Sequence, residues 1–333
     1  MSIPQPLISV LPDRSTRLML LGVCQILLGG LCGLMAAFMA VVSSLPTMPQ
    51  AQKGGPPVFA QAVAVYVLLA GAFAWLGIGM ISARRWAWTL TVVLSWMGLV
   101  FGTLGFIAFV CFIEPRTWAY TTQQSKIAPN IAMAGRIVSD VVVACLYILV
   151  PAFFVALGHD GSVRATCARR DPKIPWTDRC PMPVLALALI LAVGVLSMGA
   201  MGVTRFVVPL FGSFVAGTTG AAVVVLIGIV LAYLAWGTYH LQMTAWWGAL
   251  LLGIAGSLSS AITFARADLA EMYKQQGFSA EQVEMFKQMG LLQSMPQWGI
   301  WMGVIGGVGW TAYLLAARRY FVKHNGLRTP PLV

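Results

Sequence analysis

The sequence predicts an all-α membrane bundle: eight transmembrane helices built as two tandem four-helix halves in the same orientation, plus a short extramembrane helical hairpin. Three observations carry this expectation. Only 9% of the 333 residues are charged and 59% are hydrophobic, whereas soluble proteins carry about 25% charged residues. Apolar runs of about 20 residues recur, the length a helix needs to cross about 30 Å of hydrocarbon. The Lys and Arg residues gather in short segments between those runs, as orientation signals do.

The apolar runs in order are 18–42, 60–82, 86–112, 137–157, 184–203, 221–236 (extending toward His240), 245–264 and 300–317. The first is too long for a secretory h-region of about 7–15 residues and is read as a retained span. Backbone polar groups in lipid must be satisfied internally, so helices are expected, and no alternating barrel pattern occurs. With the N-terminus on one side, that side holds thirteen of the 21 Lys and Arg residues. The positive-inside rule then places both termini in the cytoplasm. Trp86, Trp88, Trp246 and Trp247 follow two short turns and suit the headgroup level.

Those turns also suggest a duplication. Gly79, Ala87, Trp88 and Gly98 match Gly237, Ala245, Trp246 and Gly256 at one constant offset. Pro129 and Pro296 precede the fourth and eighth spans, and Tyr147-Ile148-Leu149 resembles Tyr313-Leu314-Leu315. Four spans per half is an even number, so the halves would share one orientation. The expected division is residues 1–165 as the first half, 166–183 as a cytoplasmic linker and 184–333 as the second half.

The region 266–297 is expected to form the outer hairpin. Asp268–Gln276 is read as a continuation of the seventh span, ended by Gly277 in a left-handed cap. Ser279 with Gln282 fits a capping box opening a second helix, which Gly290 ends. Glu271-Met272-Tyr273-Lys274-Gln275 and Glu284-Met285-Phe286-Lys287-Gln288 are near copies. Met272, Tyr273, Met285 and Phe286 are expected to be partly buried, as a lid over the bundle or as a docking surface for a protein partner, since Met and aromatics are enriched at interface cores.

Candidate chemistry is sparse. Arg136 and Asp140 stand at i and i+4 on one face of the fourth span. They form either an internal ion pair or a polar site facing the interior, with Asp140 exchanging protons or binding a cation and Arg136 binding an anion. Glu114 and Arg205 end their spans, where direct contact with water would explain them. Gln25, Gln61, Ser95, Thr103, Ser139 and Ser197 are read as interhelical hydrogen-bonding groups. Cys167 and Cys180 bracket a charged linker. A redox pair is one reading, and a solvated loop with Trp176 resting on the headgroups is the preferred one. A zinc site needs four ligands and only His159 stands nearby, so no metal is expected and no cofactor is identified.

The net charge of +11 forms no continuous basic face. The lipid bilayer is therefore the expected partner, and nucleic acid is not. The three histidines sit at span boundaries, no paired intramembrane aspartates occur, and neither a zinc-protease nor a serine-hydrolase motif is present. The expected function is that of a non-enzymatic structural or accessory subunit of a membrane assembly. The alternative is a small-solute or ion transporter with a path between the halves, and a lipid-acting enzyme ranks third. The duplicated plan and the Trp176-Thr177-Asp178-Arg179-Cys180-Pro181 stretch resemble bacterial inner-membrane proteins, a resemblance that carries no activity with it.

Overall fold

A computed structural model describes residues 12–44, 56–115, 118 and 129–326. Its long helices are α1 (Ser15–Ser44), α2 (Pro56–Ile81), α3 (Arg85–Ala108), α4 (Pro129–Ala144) continued by α5 (Val150–Gly158), α7 (Met182–Ala200), α8 (Gly217–Tyr239), α9 (Met243–Arg266) and α12 (Leu291–Gly326). Shorter helices are α6 (Gly161–Arg170), α10 (Leu269–Gln275) and α11 (Ala280–Gln288). Among the described residues eight helices are long and apolar enough to cross a membrane, the character of a multi-pass membrane protein. The fourth begins at Asn130, seven residues before the apolar run that marks it in the sequence. Ile131 and Met133 there are interrupted by small and polar residues, which dilutes the signal.

The described residues fall into two compact units, one taking in α1 and Ala62–Met182, the other the first residues of α2 up to Gln61 and Pro183 onward. The core of the first gathers Leu18, Leu21, Met80, Trp88, Phe154 and Val163. The core of the second gathers Val184, Leu187, Leu234, Trp246, Leu314 and Phe321. Away from these cores the helices leave large apolar side chains uncovered, such as Leu27, Leu34 and Phe38, and Leu196, Leu226 and Val308. So much uncovered apolar surface is a contact surface for lipid or for another protein, not for water.

Each unit has a tight helix–helix turn of the same construction. In the first, Ala83 takes a left-handed φ of 51°, Arg84 N–H donates to the Gly79 carbonyl at 2.9 Å, and Ala83 N–H donates to Met80 at 2.9 Å. In the second, Leu241 takes φ 58°, with Gln242 donating to Gly237 and Leu241 to Thr238, both at 2.9 Å. This paired bonding satisfies carbonyls that a helix end otherwise leaves open. The turns fold so closely that a Cβ on Gly79 would stand 2.6 Å from the Ala87 Cβ, and one on Gly237 would stand 2.7 Å from that of Ala245. Just beyond, the Trp88 indole N–H donates to the Gly158 carbonyl at 2.9 Å, and that of Trp246 to the Leu314 carbonyl at 2.8 Å. A guanidinium covers each ring, Arg164 at 5.6 Å and Arg318 at 5.7 Å.

Three features depart from the sequence expectation. Strands β1 (Val208–Leu210) and β2 (Ser213–Val215) form an antiparallel hairpin, an addition to the all-α expectation. Phe211 and Gly212 both take positive φ, as the tight turns of two-residue hairpins require. Hydroxyls of α9 hold the tip: Phe211 N–H donates to Ser259 Oγ and Gly212 N–H to Thr263 Oγ1, each at 3.0 Å. Second, α9 does not run on past Arg266. Ala267 is extended, and the Asp268 side chain accepts from Ala270 N–H, so Asp268 caps a new helix. Third, the segment after Gly158 is no solvated loop. Asp160 caps α6, and Val163, Thr166, Cys167 and Thr177 are each at most 1% exposed.

Candidate functional site

Two π-helical turns interrupt the third and fourth spans, Phe109–Ile113 following α3 and Cys145–Leu149 between α4 and α5. Such turns insert a residue into the helix and re-aim the side chains beyond it, and they recur at functional sites. Gly102 of α3 packs against the second turn, and a Cβ there would run into the Tyr147 carbonyl oxygen. Only glycine allows this approach.

Past the first turn stands Glu114, 5% exposed. The Arg136 guanidinium reaches it through two parallel bonds, Nε to Oε1 and Nη2 to Oε2, the latter 2.9 Å. Two-point pairing of this kind is the strong form of an ion pair. Glu114 is therefore a buried partner, not the water-facing span end expected from its position. The signal for it was the opposite charge at the facing ends of two consecutive spans.

Asp140 lies one helical turn along from Arg136. Its Oδ1 is buried and has no hydrogen-bond partner. With Arg136 engaged by Glu114, its capacity for an external anion is taken up. Asp140 keeps an open carboxylate oxygen able to accept a proton or a cation.

Most other polar groups in the spans are satisfied locally. Gln25 Nε2 donates to Thr91 Oγ1 at 2.8 Å, both side chains buried. Ser95, Thr103 and Ser197 bond back to carbonyls of their own helices. Ser139 is exposed, and the side chain of Gln61 lies outside the described residues.

In the helical hairpin the sequence-read caps are present. Ser279 Oγ accepts from Gln282 N–H, Gln282 Oε1 accepts from Ser279 N–H, and Gly277 and Gly290 both take positive φ. Tyr273, Phe278 and Phe286 form a mutual ring cluster with centroids 5.1–5.7 Å apart. Tyr273 donates its hydroxyl to Met295 Sδ at 3.2 Å, and burial pushes its pKa up. These three aromatics thus bind the hairpin together. Met272 and Met285 are half-buried, and Arg205 lies over the Gly277 turn, its Cζ 3.0 Å from where a Cβ would stand.

Cys167 and Cys180 are both buried free thiols. Burial first, then the Asp171 carboxylate, pushes the Cys167 thiol up to about 12. Burial first, then Asp178, pushes Cys180 up to about 11. Neither is a ready thiolate, the form that attacks disulfides or ligates metals. Among the described residues no cluster of three or more His, Cys, Asp or Glu stands ready to hold a metal ion.

Around these cysteines lies a network of ion pairs. Arg17 meets Asp160 at 2.7 Å, Arg85 meets Asp178 at 2.8 Å, and Arg84 meets Asp171 at 3.9 Å. The Ser162 backbone N–H, followed by its side chain and the Arg17 and Arg14 charges, holds the Asp160 carboxyl below the usual range despite partial desolvation. Compared with known proteins, the chain matches no family model, and no curated protein or solved structure matches it either.

Proposed function

We propose that this chain is a structural or accessory subunit of a membrane assembly, not an enzyme. The observation that carries this reading is the use made of the polar groups inside the spans. Glu114 is taken by Arg136 and Gln25 by Thr91, while Ser95, Thr103 and Ser197 turn back on their own helices. Groups spent on packing are not presented to a substrate.

In this reading the eight spans are two tandem four-span halves in one orientation, both termini in the cytoplasm of a bacterial inner membrane. The matched turns at Ala83 and Leu241, and the matched indole bonds of Trp88 and Trp246, support a duplication. The helical hairpin stands outside the bilayer and docks a protein partner through Met272 and Met285, its Tyr273–Phe286 cluster keeping it rigid. Affinity purification of the full chain from native membranes in mild detergent tests this. A stoichiometric protein partner is expected, lost in Met272→Glu/Met285→Glu while helix content holds. A strictly monomeric protein without a stable partner sinks the reading.

A second reading, a small-solute or ion transporter, is favoured by one observation: the unpartnered, buried Oδ1 of Asp140. Ionisable groups inside spans mark pathways in many transporters. Flux into proteoliposomes abolished by Asp140→Asn would support it, and flux indifferent to that change would remove it.

A further inference from the structure

The segment Pro172–Arg179 is held at both ends by carboxylates, Asp171 buried and Asp178 partly buried. Asp171, 8% exposed, accepts from the Arg85 backbone N–H at 3.4 Å and faces Arg84. Asp178 accepts from Arg85 Nη2 at 2.8 Å and from Thr89 Oγ1 at 3.1 Å. A 3₁₀ turn at Trp176–Asp178 is closed by Asp178 N–H to Pro175 and Arg179 N–H to Trp176. Thr177 and Cys180 anchor it from beneath, at 1% and 6% exposure.

On this fixed platform two large apolar side chains point outward, Ile174 at 69% and Trp176 at 43% exposure. Lys173 and Arg179 flank them, both exposed. The acidic residues of the segment face inward to the Arg84–Arg85 turn, so the outward charge is positive. The chain enters the apolar helix α7 at Met182, a few residues later. The apolar pair therefore lies near the level at which hydrocarbon begins. Apolar and indole groups beside exposed cations match the boundary between acyl chains and phosphodiester headgroups.

We propose that Lys173, Ile174, Trp176 and Arg179 form a binding surface for anionic phospholipid. The two cations engage the headgroup phosphate, and Ile174 and Trp176 enter the acyl boundary beside it. The Asp171 and Asp178 carboxylates act as positioning groups that keep this face turned to the bilayer.

The test uses the full chain purified in detergent, titrated with phosphatidylglycerol, phosphatidylcholine or inorganic phosphate. Bound lipid is counted by native mass spectrometry. Phosphatidylglycerol is expected to bind in preference to phosphatidylcholine, and inorganic phosphate not to compete. A surface cation contributes about fivefold to binding an anionic membrane. Lys173→Gln/Arg179→Gln should thus weaken phosphatidylglycerol retention roughly 25-fold. Lys173→Arg/Arg179→Lys should keep it, and Lys274→Gln/Lys287→Gln, on the helical hairpin, should leave it unchanged. Ile174→Ser/Trp176→Ser should weaken retention of both lipids.

Wild-type retention in the Gln pair overturns the proposal. So does equal binding of the two lipids, competition by inorganic phosphate, or loss of a co-purifying protein in place of lipid. Should the Gln pair fail to fold, the Ser pair decides, and undiminished retention there overturns the proposal too.

Discussion

The buried contact between Gln25 and Thr91 makes an asymmetric prediction. Both residues are at most 3% exposed, and Gln25 Nε2 donates to Thr91 Oγ1 at 2.8 Å. The other end of the amide, Oε1, is buried with no partner. Thr91→Val keeps the shape, removes the acceptor and leaves the whole amide unsatisfied. An orphaned buried donor costs about 1–3 kcal/mol, and interhelical hydrogen bonds in membranes average about 0.6 kcal/mol with a maximum near 1.7. The expected cost of Thr91→Val is therefore about 1 kcal/mol.

Gln25→Leu removes the donor and the orphaned carbonyl together. The Thr91 hydroxyl can then turn to its own helix, as the Ser95 and Thr103 hydroxyls already do. Its expected cost lies within about 0.5 kcal/mol of zero, on the stabilising side if the orphan is costly. The double variant should match Gln25→Leu alone. Thermal unfolding in one detergent measures all three. Using soluble-protein scaling, Thr91→Val should melt about 2–4 °C below Gln25→Leu. If Gln25→Leu is the more damaging change, the argument from unsatisfied groups fails.

Three other outcomes are expected. Trp88→Phe and Trp246→Phe should each destabilise by about 1–3 kcal/mol, through one lost hydrogen bond and a small void; a large difference between them in denaturant unfolding would count against a shared role. The lowered pKa of Asp160 contributes stability that is fully present above its unfolded value near 3.8 and disappears as pH falls through the folded value, so the difference in melting temperature between wild type and Asp160→Asn should shrink below about pH 4. Cys167 and Cys180, buried and with thiols pushed up to about 12 and 11, should resist maleimide at neutral pH until the protein is unfolded, as counted by mass spectrometry on peptides.

The sequence carried the spans well because their signal is local. Length and hydropathy decide whether a segment can sit in lipid, and no contact needs to be known. The caps at Ser279, Gln282, Gly277 and Gly290 were legible for the same reason, each depending on residues within a turn of itself. The partner of Arg136 was not. Asp140 stands four positions along the same helix, whereas Glu114 is 22 residues away in the sequence and on another span.

The π turns at Phe109–Ile113 and Cys145–Leu149 have no residue signature, being written in hydrogen-bond register alone. The β-hairpin sits in an apolar stretch, and Pro209 in its first strand is a residue that strands seldom hold. The burial of Cys167 and Thr177 was masked by the charges around them. Those charges point into ion pairs that only the folded chain brings together.

That hairpin has a consequence for depth. The central residue of β1 is Pro209, which has no main-chain N–H, so the outer edge of β2 is the one with groups to satisfy, and an acyl environment offers them nothing to bond with. Ser259 and Thr263 hold the tip, and Ser259 Oγ also donates to the Pro209 carbonyl of β1 at 3.3 Å, which leaves the β2 edge without that help. The ribbon therefore works as a float: the second unit can sink into hydrocarbon only until the β2 edge reaches the last available water.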